Sequence, residues 1–135
     1  MDVTKLRVAD TAAIHLKDAD GNPLYDEGKP VRIHVFGPSS KQFAQVEGKQ
    51  TTRVLKRREE NDGKATAPTP EQRLAETAED LAAITARFEG LTYGDKQGAE
   101  LFEAVYADPA LGFIANQVQR FVQNWGNFRG GSSAS

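Results

Sequence analysis

The hydrophobic pattern along the chain changes period as it goes. From Ala12 to Lys17 it alternates, with Ile14 and Leu16 set against Ala13, His15 and Lys17, which predicts a β-strand. Asp18-Ala19-Asp20-Gly21-Asn22-Pro23 is a dense turn signal: Asp20-Gly21 accepts positive φ, and Pro23 has no amide hydrogen to give to a ladder. Val31 to Phe36 predicts a second strand, with Val31, Ile33 and Val35 on one face and Arg32, His34 and Phe36 on the other. Together the two strands make a hairpin with a long connection. Two strands alone are marginal, so the pair needs more strands, a helix across it or another subunit.

Gly37-Pro38-Ser39-Ser40 ends the strand and opens a helix that reaches about Glu60, with Ser39 or Ser40 accepting from the first-turn amides. Phe43, Val46, Val54 and Leu55 are sparse for its length, Gly48 weakens its middle, and Gln50, Thr51 and Thr52 dilute the stripe further. Such a helix protrudes or is covered by another chain. Asn61 to Thr69 reads as a linker, with a turn at Asp62-Gly63 and prolines at 68 and 70. Thr69 then caps a helix with Pro70 at its first position. Leu74, Ala78, Leu81, Thr85 and Phe88, with Ile84 beside them, predict one amphipathic helix running to Gly90. A short helix from about Gln97 to Ala107 turns Leu101, Phe102, Val105 and Tyr106 inward. Asp108-Pro109 breaks it and caps a last helix to about Trp125, striped by Leu111, Ile114, Val118, Phe121, Val122 and Trp125. Trp125 and Phe128 read as core plugs.

The expected fold class is α+β: an N-terminal β-hairpin or small antiparallel sheet followed by a mainly α-helical region, about four helices in all. The expected division is 1–60, a linker at 61–69, a three-helix unit at 70–128 that holds the main core, and a flexible tail at 129–135. The 135 residues suffice for one domain, and a composition of 39% hydrophobic and 27% charged residues is that of a folded soluble protein. No apolar run approaches the roughly 20 residues of a membrane span. The opening MDVTKLRVAD has no long apolar stretch, so export is not expected. The absence of cysteine excludes disulfides, thiol nucleophiles and Cys-ligated zinc.

Net charge is −2, but it is unevenly spread. Residues 41–58 carry Lys41, Lys49, Arg53, Lys56, Arg57 and Arg58 against Glu47 alone, while residues 59–108 carry twelve acids and four bases. Either the two segments attract each other or stay solvated, or they form a bipolar surface that docks a charged partner. Nucleic-acid binding at Lys56-Arg57-Arg58 is not favoured, because Glu59, Glu60 and Asp62 cancel the field and no stacking aromatic is interleaved. Lys56 and Glu60 read better as an i,i+4 helix pair.

Candidate chemistry is thin. His15 and His34, with Asp18, Asp20 or Asp26, have the residue types of a metal site, but two polar residues on a solvated strand face explain them as well. Asp18-x-Asp20-Gly21 imitates part of a calcium loop, yet the first ligand position would be Leu16. No serine lies in a nucleophile motif, Gly37-Pro38-Ser39-Ser40-Lys41 lacks the phosphate-loop framework, and no acid pair is marked out for proton transfer. No enzyme, metal or cofactor is expected. A binding or assembly module remains.

The C-terminal half carries a resemblance. Ile84-Thr85-Ala86-Arg87-Phe88-Glu89-Gly90 is followed by Leu101-Phe102-Glu103-Ala104-Val105-Tyr106-Ala107-Asp108-Pro109, then Phe113-Ile114-Ala115-Asn116-Gln117-Val118, then Trp125-Gly126-Asn127-Phe128. This order resembles the small tail assembly chaperones of long-tailed bacteriophages, which have a helix ending in an aromatic-x-Gly turn, an aromatic "VY.DP" segment, a helix with "I..QV" and a terminal "NF". The resemblance implies a non-catalytic protein of the infected bacterium's cytoplasm. It would bind and solubilise the tape measure protein, help recruit tail tube subunits, and leave before the virion is finished. Self-association is common in that family, and many members also exist in a longer frameshifted form. A structural virion component, such as a minor tail or head–tail joining protein, is the alternative. Neither membrane nor nucleic acid is an expected partner. An amphipathic tape measure helix needs an apolar groove with charged rims. The stripe from Leu74 through Leu81 to Phe88, or the sparse face beginning at Phe43, would supply the groove. Arg53, Arg57 and Arg58 would supply the rim. These seven residues are bets on spacing and charge, not carried by a family motif.

Overall fold

The computed structural model describes Met1–Gly130 and is mixed α+β, a small antiparallel sheet joined to four α-helices. The elements are β1 (Thr11–His15), β2 (Tyr25–Asp26), β3 (Lys29–Pro30), β4 (Arg32–Phe36), α1 (Lys41–Glu60), α2 (Pro70–Ala83), β5 (Thr85–Glu89), α3 (Gly98–Ala107) and α4 (Gly112–Val122). Short 3₁₀ turns lie at Val3–Leu6, Pro109–Leu111 and Trp125–Phe128.

The alternation read in the sequence becomes the sheet. β4 is central and antiparallel to β1 on one side and to β5 on the other. Ala12, Ile14 and Leu16 join Val31, Ile33 and Val35 in the buried core. The long connection between the paired strands holds a second, two-stranded ladder, β2–β3, whose turn places Glu27 at φ 51° and Gly28 at φ 78°. Before it, the Asp18 carboxylate accepts from the amides of Asp20 at 2.9 Å and Asn22 at 3.0 Å, which fixes the turn.

The third strand corrects the predicted helix. α2 ends at Ala83, and Thr85–Glu89 turn back into the sheet, so Phe88 sits on a strand opposite Ile33 and not on a helical stripe. The β-branched Ile84 and Thr85 favour the change. A bulge explains the misleading spacing: Val35 pairs with Thr85 and His34 with Arg87, leaving Ala86 extra. That one residue puts Thr85 and Phe88, three apart, on the same face, as a helix would. The aromatic-x-Gly segment of the resemblance is therefore strand-borne here.

The helix starts follow their caps. The Ser40 hydroxyl accepts from Phe43 at 3.2 Å, and Thr69 with Gln72 forms a reciprocal capping box at Pro70. The linker turn at Asp62 and Gly63 closes α1 through a 2.7 Å bond from Gly63 to the Arg58 carbonyl. α4 is shorter than expected, because Pro109–Leu111 and Trp125–Phe128 are 3₁₀ turns.

One core serves the whole described chain. Val118, Ile114 and Val122 of α4, Ala78 and Leu81 of α2 and Val105 and Tyr106 of α3 pack with the sheet residues. The expected three-helix unit thus contains a strand, and its core is continuous with that of residues 12–46. Gln117 of α4 ties the two further: its side-chain amide accepts from and donates to the Lys17 backbone, both at 2.8 Å. Phe128 is fully buried, against Gly37 and 5.5 Å from the Phe121 ring. Trp125, expected beside it, is 56% exposed, because the chain leaves the helical phase after Val122. Arg129, placed in the expected tail, bridges to Val8, and Ala9 donates to the Phe128 carbonyl at 2.6 Å. The rest of that tail, 131–135, lies outside the described residues. Among the described residues no helix is long and apolar enough to cross a membrane.

Candidate functional site: a groove between three helices

α1 is a polar helix with Val46 as its buried residue, and charge holds it to α2. Arg53 Nη1 donates to both carboxylate oxygens of Asp80, at 2.8 and 2.9 Å, and Arg53 Nη2 lies 3.3 Å from Glu79. Lys49 reaches Glu79 at 3.6 Å, Gln50 donates to Asp80 at 3.1 Å, and Arg57 pairs with Glu76. Residues that ascend along α1 meet residues that descend along α2, so the two helices are antiparallel across the linker. Three of the six bases of residues 41–58 thus pair with acids of α2. Arg53 and Arg57 are engaged in this seam, whereas Arg58 is exposed and has no ion pair among the described residues. Lys56 does not pair with Glu60 among them either.

Beside the seam the helices part. A cleft of about 260 Å³ is walled by Phe43, Val46 and Gln50 of α1, by Thr77, Asp80 and Leu81 of α2, and by Gln119 and Val122 of α4, with Ile84 below. A second, of about 420 Å³, continues past Thr77 and Gln119, which line both, to Leu74, Tyr106 and Ala115. The two form one furrow with apolar residues at its base and the amides of Gln50, Asn116, Gln119 and Gln123 along its sides. α2 packs much more extensively on α3 than on α4, which is why the furrow opens on the α4 side.

Of the seven candidate residues, Phe43, Leu74 and Leu81 line this furrow, and Arg53 and Arg57 tie α1 against it. Phe88 lies elsewhere, with its ring 4.7 Å from Phe102 and 6.0 Å from Tyr106. The α4 wall was not singled out in the sequence. Its signal is a row of small and amide residues at helical spacing, Gly112, Ala115, Asn116, Gln119 and Gln123, running beside the apolar stripe.

The other polar cluster is on the sheet. Glu89 of β5 bonds to His34, lies 3.4 Å from Arg87 and 3.9 Å from Arg32, and its carboxyl is held below the usual range, chiefly by the His34 bond. His15 is on the same face but is engaged separately, bonded to the Leu24 carbonyl at 2.9 Å and edge-on to Tyr25. In the interior, Thr85 and Tyr106 share a 2.7 Å hydrogen bond, and burial pushes the Tyr106 hydroxyl far up. Among the described residues no group of three or more His, Asp or Glu side chains converges as a metal site.

Comparison of the chain with family models, with curated proteins and with solved structures finds no match. Any functional reading therefore rests on the residues and on the furrow itself.

Proposed function

We propose that this chain is a non-catalytic phage tail assembly chaperone that binds and solubilises the tape measure protein and helps recruit tail tube subunits. The observation that carries the reading is the furrow: an apolar base, amide-rich sides, and one wall, α1, held mainly by charge. An amphipathic helix docks in such a groove by seating residues at i, i+3, i+4 and i+7 on the base. Phe43, Leu74 and Leu81 supply that base, and the exposed Arg58 supplies rim charge for register. The resemblance across residues 84–128 supplies the identity of the helix, since a tape measure protein exposes long amphipathic helices before assembly. On this reading the chain acts in the cytoplasm of the infected bacterium and is absent from the finished virion.

Co-expression with the tape measure protein of the same phage tests it. The expected result is soluble tape measure protein with this chain bound, and particles that lack the chain by mass spectrometry. Thr77→Arg, which fills the furrow from its half-buried middle, should lower co-purification about tenfold or more while the melting temperature holds. The exposed Lys29→Glu, on β3 and outside the furrow, should leave binding unchanged. Absence of a complex, with the chain present stoichiometrically in particles, would overturn the reading and make it a structural tail component.

A further inference from the structure

The outer edge of β5 carries a pattern that complements itself. The Phe36 amide donates to the Ile84 carbonyl at 2.7 Å on one side of β4, and the Val31 carbonyl accepts from Leu16 at 2.9 Å on the other. Backbone groups alternate along a strand, so Arg32, His34 and Phe36 address β5, and Val31, Ile33 and Val35 address β1. Phe88 is paired with Ile33, so its own amide and carbonyl point away from the sheet. Among the described residues no other strand lies beyond β5, and no backbone group bonds to Phe88 on that side.

An antiparallel partner strand at this edge must place an outward-facing residue opposite another. If that pair is Phe88 against Phe88, a two-fold axis passes between them. Arg87 then stands directly opposite Glu89 of the second copy, and Glu89 opposite its Arg87. Centring on Ala86 or Gly90 gives no such match. A parallel, in-register pairing would set Arg87 beside Arg87, which is repulsive. Arg87 has the freedom to reach across, with 60% of its side chain exposed, and Glu89 retains 32%. The apolar side agrees: Phe88 and Phe102, in contact at this edge, are only partly buried. A lone charge on an edge strand wards off pairing. An Arg-x-Glu pair with an outward residue between them admits one partner, a second copy in one register.

We propose that two copies of this chain join antiparallel through the β5 edge, centred on Phe88, to make a continuous six-stranded sheet. This goes beyond the proposed function and is independent of tape measure binding. The chain's lack of cysteine makes the register directly testable. Sedimentation velocity across the micromolar range should show a dimer. Arg87→Glu should weaken it about tenfold or more. Mixing an Arg87→Cys chain with a Glu89→Cys chain under mild oxidation should give a disulfide-linked heterodimer, while neither alone should cross-link. A wild-type chain that stays monomeric, a dimer that survives Arg87→Glu unweakened, or cross-linking of either single variant with itself would overturn the proposal. Failure here leaves the furrow and its tape measure assay untouched. Loss of tape measure binding likewise leaves this cross-link as it is.

Discussion

α1 is 20 residues long and buries Val46 alone, whereas the 11 residues of α4 bury Ile114, Ala115, Val118 and Val122. The two helices form facing walls of one furrow, yet they are held by different forces. α4 is fixed by removal of apolar surface from water, which salt does not weaken. α1 is fixed largely through Arg53 and Arg57 on α2, by charge-assisted hydrogen bonds that depend on geometry. A groove with one rigid wall and one electrostatically held wall can admit a helix without disturbing the core. Val54 and Leu55 of α1 fall between Arg53 and Arg57 but lie off the side that α2 covers, and both are more than half exposed.

The comparison is broken hardest at the C-terminal plug. Phe128→Ala should cost about 3–5 kcal/mol by urea unfolding, since the ring is wholly buried between Gly37 and Phe121. Gly37→Ala attacks the same contact from the other side. Its added carbon would meet the Phe128 ring at 2.5 Å, and the expected loss is about 1–3 kcal/mol. Thr85→Val keeps the shape but strips Tyr106 of its buried partner, for a similar loss of about 1–3 kcal/mol with an intact fold by circular dichroism.

The α1 seam should respond more weakly and differently. Arg53→Met should cost about 1–3 kcal/mol, with a favourable coupling to Asp80→Asn, because the two side chains are only 19% and 13% exposed and share two hydrogen bonds. A loss as large as at Phe128 would show that α1 belongs to the core. The smallest effect is on the sheet face. The Glu89 carboxyl is depressed in the folded chain, so its contribution is present above the ordinary carboxylate value of 4.5 and fades as pH falls through the folded value. Melting curves of Glu89→Gln and wild type should therefore differ near neutrality and converge in acid.

Much of the fold was readable in the residues. The alternation at 12–17 and 31–36, the Ser40 and Thr69 caps and the Asp108-Pro109 break all locate real elements, since each rests on local chemistry. What failed depended on distant partners. Thr85 and Phe88 have a spacing that suits a helix, and only pairing with β4 reveals a bulged strand. Trp125 continues an apolar stripe that the helix itself abandons at Val122. At the furrow, Phe43, Leu74 and Leu81 were found because they are apolar on amphipathic helices. The amide wall of α4 is not legible in the sequence, because glutamine and asparagine on a helix look like ordinary solvated surface until another helix faces them.

On the proposed function, the furrow receives the partner helix. Hydrogen–deuterium exchange of the chain alone and in its co-purified complex with the tape measure protein tests it most directly. The expected result is added protection in α1, α2 and α4 along the furrow, with β1 and β4 unchanged. A complex that forms with no added protection along those helices would contradict it.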